Sequence, residues 1–386
     1  MELRFQKMQT GSLISVMRDA SEKVCTFPKD IDAVAGDPQE QRTQMTFPLR
    51  TMTAGLALSA LMPLTAGAQD APVLSPDTQA FIDSLAGAPA VNTLPPEEAR
   101  QVLIDTQTGA DVEMPDAMVE EMTLPIGPTG EVTVHVVRPA GSEGETLPGV
   151  VYFHGGGWIL GNFTTHERLM RDLANKTEAA FVFVEYAPAP EQKHPVQLQQ
   201  DFAVLQHVAE NAADMGIDAN QLALAGDSVG GQMVAVVAQM AKAEGGPELD
   251  SMALLYPVTT ADLTSPSYDQ FAEGPWLTKA MMEWFWDAYL PEGVDAADPM
   301  ISPLNHAVED LQDLPPALVI TDANDVLRDE GEAFAAKLVQ AGVPTEATRY
   351  HFTLHDFMML NPIAETPAAM AAVDQTARFL RDHFTE

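Results

Sequence analysis

The sequence predicts an α/β fold, a mostly parallel central sheet flanked by helices with a helical lid inserted late in the chain. Three observations predict it. Short apolar runs rich in Val, Leu and Ala recur at 149–153, 180–185, 222–225, 252–256 and 317–321, each ending near Gly, Pro, Asp or His. Helical patterns lie among them or follow them, at 166–177, 198–213, 229–244, 331–341 and 367–384. One longer stretch, 262–305, breaks the alternation and carries the run Leu277-Thr-Lys-Ala-Met281-Met-Glu-Trp-Phe-Trp286. Runs of the first kind suit strands buried on both faces of a parallel sheet. Strand alternating with helix builds layers.

Taken in order, residues 70–120 are Pro-rich, with short helices expected at 76–85 and 95–104, where Pro stands in the first turn. Residues 132–137 alternate like a strand, and 345–352 supply the last strand candidate. The 262–305 stretch is read as the lid. No internal repeat and no low-complexity tract is present.

The chain has 386 residues, enough for one large α/β domain plus extra segments or for two ordinary domains. Apolar residues make up 46% of it, which supports a sizeable core. The formal charge is -36. Binding to a nucleic-acid backbone needs Lys and Arg, so that partner is excluded, and an anionic membrane surface should repel the chain. The acidity is spread along the sequence and reads as a solvated surface of the kind that suits a salty medium, with a cationic substrate or partner as the sharper alternative. The one cysteine, Cys25, excludes an intramolecular disulfide and a cysteine-based metal site.

Residues 47–69 have the layout of a secretory signal peptide. Arg50 is a weak positive start, 52–64 a short apolar run broken by Pro63, and Ala66-Gly67-Ala68 a small-residue cleavage site. The run is too short to span a bilayer, so no stable membrane insertion is expected. The alternative is an apolar helix of cap or core. Residues 1–68 hold seven basic and seven acidic side chains, so the whole excess of negative charge falls on the remainder. The expectation is a non-native or disordered extension at 1–44, a signal peptide at 45–68, and a periplasmic or secreted mature domain at 70–386, otherwise cytoplasmic.

The chemistry centres on Leu222-Ala-Leu-Ala-Gly226-Asp-Ser228-Val-Gly230-Gly231. It runs from strand to Ser to helix, the context that a G-x-S-x-G nucleophile elbow requires. Small residues at 226 and 230 let the chain turn sharply, and the helix start behind Ser228 favours developing negative charge. His154-Gly-Gly-Gly157-Trp158 follows another strand. Consecutive glycines expose backbone N–H groups, as an oxyanion hole needs. Gly155 and Gly156 are the candidate donors, with Val229 N–H completing the hole. A phosphate-cradling loop is the alternative, but the Lys and Ser/Thr of a P-loop and the G-x-G-x-x-G spacing are absent.

A serine nucleophile needs a base. Of nine histidines, His355 lies just past the strand candidate at 345–352, and Asp325 lies just past the strand at 317–321. Loops after strand C-termini are where open α/β sheets place ligand chemistry, and the order Ser, Asp, His suits the elbow. Asp322 stays open as a cap or structural acid, and His351 as a strand residue that packs or faces solvent. His383 reads as a surface residue of the last helix.

These residues together resemble the bacterial hormone-sensitive-lipase-like (family IV) carboxylesterases of the α/β-hydrolase superfamily. The resemblance rests on His154-Gly-Gly-Gly-Trp158, Glu185-Tyr186 with Ala189-Pro190-Glu191, Gly226-Asp-Ser-Val-Gly-Gly231, Asp325-Val-Leu-Arg-Asp-Glu330 and His355-Asp-Phe357, in this order, and covers roughly residues 75–384. It implies an α/β-hydrolase fold with a helical cap built from about 70–125 and 262–305. It implies a serine carboxylesterase for short-chain acyl esters, acting through an acyl-enzyme with neither metal nor organic cofactor. Asp325 then takes the acid position ahead of Asp322 and Asp329. Val326, Val229 and Asp356 stand where the group usually has Pro, Ala and Gly. Asp356 sets a carboxylate beside His355, either to raise the imidazole pKa or to point to solvent.

The candidate substrate contacts are Trp158, Phe163, Trp276, Leu277, Met281, Phe357 and Met358, any of which is equally readable as core or cap packing. The expected partner is a small-molecule ester, and a homodimer is compatible with the sequence. Amidase or deacetylase chemistry by the same triad is the rival activity. A non-catalytic ligand-binding protein is the rival class, and it predicts a missing histidine where His355 is present.

Overall fold

A computed structural model describes residues 71–384. The segments expected at 1–44 and 45–68 lie outside the described residues. Two helices come first, α1 (Pro76–Ser84) and α2 (Pro96–Thr108), each with Pro in its first turn. The Ser75 side chain caps α1 by accepting from Thr78 N–H. Then follow β1 (Ala117–Leu124), β2 (Val132–Pro139), β3 (Leu147–Phe153), α3 (Phe163–Thr177), β4 (Ala180–Glu185), α4 (Val196–Asn211), β5 (Ile217–Asp227), α5 (Val229–Glu244) and β6 (Ser251–Leu255). The 262–305 stretch supplies α6 (Pro266–Gln270) and α7 (Lys279–Tyr289). The chain ends with β7 (Ala317–Asn324), α8 (Arg328–Gln340), β8 (Thr345–Leu354) and α9 (Pro367–His383).

The strands form one eight-stranded sheet in the order β1-β2-β4-β3-β5-β6-β7-β8. β3 to β8 run parallel, while β2 is antiparallel to both β1 and β4. This is the α/β architecture that the apolar runs predict. The run 180–185 is buried at five of its six positions because a strand inside a helix-covered sheet has no solvent face. The path steps one way from β3 to β4 and the other way from β4 to β5. With right-handed crossovers, this puts α3 on one face and α4 and α5 on the other. The reversal opens a crevice beyond the C-termini of β3 and β5, the place where such sheets bind ligands.

Residues 117–124, given to the cap by the sequence reading, belong to the sheet. β1 is an edge strand with Glu120 and Glu121 exposed. Its pairing to β2 is made by backbone groups, so it carries no apolar run to reveal it. Among the described residues no helix is long and apolar enough to cross a membrane.

Candidate active site

Ser228 stands between β5 and α5 with φ 55° and ψ −119°. A non-glycine residue there is strained, and the strain turns a buried strand into a helix within one residue. The neighbours must be small. A Cβ on Gly230 would overlap the Phe153 carbonyl of β3. Backbone bonds hold the turn on both sides, from Ser228 N–H to Leu255 O at 2.8 Å and from Val258 N–H to Ser228 O at 3.0 Å.

Asp325 follows β7 and His355 follows β8, and both point to the same crevice. The His355 Nε2 lies 2.9 Å from Ser228 Oγ, and its Nδ1 lies 2.7 Å from Asp325 Oδ2. Asp325 Oδ1 accepts the Leu327 N–H at 3.0 Å, which fixes the carboxylate plane. All three side chains are buried. Burial by itself lowers the His355 pKa, but the carboxylates of Asp325 and Asp356 outweigh it and raise it to about 10. Asp322 is buried beside Asp325. Desolvation, and then the Asp325 charge, push its pKa well above the carboxylate range, so it is held neutral. Its Oδ1 caps Asn324 N–H at 3.2 Å. His351 is exposed on β8, and His383 ends α9 and bonds the Phe379 carbonyl.

Asp322, Asp325 and His355 also offer ligand atoms within 4.8 Å of one another. The 2.7 Å separation of His355 Nδ1 and Asp325 Oδ2 is a hydrogen-bond length. Two ligands of one tetrahedral ion with ~2.1 Å bonds stand farther apart, so these residues do not fit a shared metal.

The glycine loop corrects one expectation. Gly155 N–H donates to Asp227 Oδ1 at 3.0 Å and is not free to meet a substrate. Asp227 Oδ1 also accepts the Tyr152 hydroxyl at 2.8 Å, and Oδ2 lies 3.3 Å from His166 Nε2. Burial works against both charges in this pair. Mutual attraction overcomes it, lowering the Asp227 pKa and raising that of His166. Gly156 and Gly157 line the cavity instead, next to Ser228. His154 is packed under the loop against Tyr186, and burial lowers its pKa to about 4, so it is neutral.

The cavity above Ser228 has a volume of about 210 Å³. Its walls come from both helical regions, with Val91, Leu103, Leu277, Met281 and Phe285 among them. Of the candidate contacts, Trp276, Leu277 and Met281 line it. Trp158, Phe163 and Phe357 do not. Trp158 is fully buried and stacks on Tyr289 at 4.1 Å, Phe163 stacks on His135 at 4.1 Å, and Phe357 packs against Tyr256 and Tyr350. Met358 is also core. Phe285, Gly157 and Asp356 are wall residues absent from the candidate substrate contacts and oxyanion donors. The Met281–Phe285 spacing of one helical turn is the signal that finds Phe285.

The α/β-hydrolase fold family matches residues 150–359, and the chain belongs to that family. It is 38% identical over 278 residues to a carboxylesterase, NlhH, of Mycobacterium tuberculosis, covering 72% of this chain and 86% of that protein. It is 32% identical over 316 residues to an esterase of Gibberella moniliformis, covering 81% and 98%. The crystal structure of a thermostable esterase from Pseudomonas putida superposes with a TM-score of 0.79 at 44% identity, covering 82% of this chain and 99% of that one. A fungal relative stands beside bacterial ones, so the bacterial qualifier of the resemblance is not carried over.

Proposed function

We propose that this chain is a serine carboxylesterase of the hormone-sensitive-lipase-like group that hydrolyses short-chain acyl esters. It is a carboxylic ester hydrolase. The observation that carries the reading is the hydrogen-bonded line Ser228 Oγ, His355 Nε2, His355 Nδ1, Asp325 Oδ2 beneath the cavity. In this reading Ser228 Oγ attacks the acyl carbon while its proton passes to His355 Nε2. Asp325 holds the imidazole with Nδ1 protonated and stabilises the cation. The tetrahedral oxyanion is received by the N–H groups of Gly156, Gly157 and Val229. Val229 is the first residue of α5, where no intrahelical carbonyl claims the N–H. Collapse expels the alcohol, protonated by His355, and water then repeats the sequence on the acyl-enzyme.

The small apolar cavity supports short acyl chains, since drug-sized ligands need roughly 300 Å³ or more. Export through residues 45–68 belongs to the same proposal and is read by the intact mass of the secreted protein. The test of the activity is an acyl-length series of p-nitrophenyl esters with matched anilides, run on wild type and Ser228→Ala. The expected result is a maximum at short acyl chains, far slower anilide turnover, and loss of activity in Ser228→Ala. Equal rates in wild type and variant sink the nucleophile assignment. Faster anilide turnover makes the enzyme an amidase.

A further inference from the structure

His355 Nε2 has two neighbours. Ser228 Oγ is one, and Asp356 Oδ1, at 3.3 Å, is the other. Asp356 has φ 66°, a conformation that costs a non-glycine residue. This backbone brings the side chain back over its own neighbour rather than out to solvent. Its Oδ2 accepts the Trp276 indole N–H at 2.9 Å, and Trp276 belongs to the 262–305 insertion. Its Oδ1 is buried and has no hydrogen-bond donor other than the one His355 can offer. The carboxylate is therefore held from the cap side, within ion-pair distance of the nitrogen that Ser228 must also use.

We infer that Asp356, tethered by Trp276, is a second carboxylate partner of the His355 imidazolium and sets the pH above which the base becomes free. This rests on the Ser228–His355–Asp325 reading. When His355 is doubly protonated, Nδ1–H is held by Asp325 and the charge on the Nε2 side is balanced by the Asp356 carboxylate at 3.3 Å. Ser228 then has no base. Loss of the Nε2 proton to solvent gives the neutral imidazole that can accept from Ser228 Oγ. During attack the proton moves from Oγ to Nε2 and afterwards to the leaving alkoxide. Burial raises the Asp356 pKa and the His355 charge opposes that rise; as the anion Asp356 stabilises the transient cation, so it acts through His355 as a positioning residue.

The other charges facing this imidazole are few. Asp322 and Asp325 come from the end of β7 and the residue after it, and Tyr256 follows β6 with its ring edge-on at 5.1 Å; Asp227 of β5 and His166 of α3 act on Asp356 instead. Arg168 of α3 is turned to the carbonyls of Met358 and Met359, on the far side of the loop. Among the described residues, Asp356 is the one carboxylate within ion-pair distance of Nε2.

The experiment measures kcat/KM on a short p-nitrophenyl ester against pH for wild type, Asp356→Asn and Trp276→Phe, with imidazole NMR titration of His355 in the same proteins. Asp356→Asn keeps an acceptor for the indole but removes the charge. Its rising limb, and the NMR midpoint, should move to lower pH by at least about one pH unit. Trp276→Phe leaves His355 as the sole donor to Asp356, so its limb should move up. A merely structural contact would disturb both variants alike. An unchanged midpoint in a folded Asp356→Asn, or shifts of the same sign in both variants, overturns the inference. Failure of the esterase reading itself shows separately, as equal rates in wild type and Ser228→Ala.

Discussion

The N–H of Gly155 is bound to the side chain of Asp227, at 3.0 Å from Oδ1. This bond ties the glycine loop after β3 to the residue that precedes Ser228 at the end of β5. The loop and Ser228 are thereby held in one register, and in the proposed reading the loop N–H groups left for an oxyanion are those of Gly156 and Gly157, beside that of Val229.

The tether is expected to appear in turnover rather than in binding. Asp227→Ala removes the acceptor of Gly155 N–H and of the Tyr152 hydroxyl, and leaves His166 without its counter-ion. Losing a single oxyanion donor costs ~10²–10³ in kcat. A loosened loop should cost less, on the order of tenfold to a hundredfold, with KM little changed. Asp227→Asn keeps the acceptor and can donate to neutral His166, so it should recover most of the rate. Steady-state kinetics of the two variants decide it. A KM rise at constant kcat in Asp227→Ala would assign the loop to binding instead.

Asp325 and Asp322 are both buried near His355, yet they should differ sharply. Asp325 Oδ2 bonds Nδ1 directly at 2.7 Å, so Asp325→Asn presents the wrong partner to the imidazole. Loss of this kind drops kcat by ~10⁴ in serine hydrolases. Asp322 is held neutral, and its hydrogen bond goes to Asn324 N–H. Asp322→Asn replaces a neutral carboxyl by a neutral amide of the same shape and should stay within several-fold of wild type. Comparable losses in the two variants would move the acid assignment.

Glu330, on α8, holds the chain as it leaves β6. Its Oε1 accepts the N–H groups of Thr259 at 2.6 Å and Thr260 at 3.2 Å. Burial raises its pKa from 4.5 to about 8. The sign follows from linkage. The folded state keeps this proton where the unfolded chain has already lost it, so the contribution of Glu330 to stability is highest below about 4.5, falls as pH rises to about 8, and is flat beyond. Glu330→Gln retains the acceptor and cannot ionise. Its melting temperature relative to wild type should rise between pH 5 and pH 9. Parallel melting curves across that range would falsify the assignment.

The fold and the Ser228–His355–Asp325 hydrogen-bonded line are legible for one physical reason. β5, β7 and β8 deliver Ser228, Asp325 and His355 at or just beyond their C-terminal ends, so position along the chain encodes position in the crevice. Backbone donors were not legible. Whether Gly155 N–H is free depends on a carboxylate from another strand, 72 residues away. Apolar composition did not separate cavity from core either. Trp158 and Phe357 are as apolar as Trp276 and Met281, but the first pair packs in the core and the second pair lines the cavity above Ser228. β1 escaped because an edge strand needs no buried face, and Glu120 and Glu121 are exposed there.

The cap meets the glycine loop where Trp158 stacks on Tyr289 of α7 and where the Phe285 ring of the same helix faces Gly157. Gly157 has φ 63°, and a Cβ there would overlap the Phe285 ring. Gly157→Ala must therefore push α7 away from the loop or distort the loop itself, and should lower kcat tenfold or more. Phe285→Ala alone opens the cavity and should move the acyl-length maximum toward longer chains, with a smaller loss on short ones. In the double variant the new methyl group has room, which leaves only the backbone strain of alanine at positive φ. The double loss should then fall well short of the product of the single losses, a coupling that a double-mutant cycle on kcat measures directly. Multiplicative losses would mean that Phe285 does not bear on the loop, and that the cap shapes substrate choice without touching the oxyanion donors.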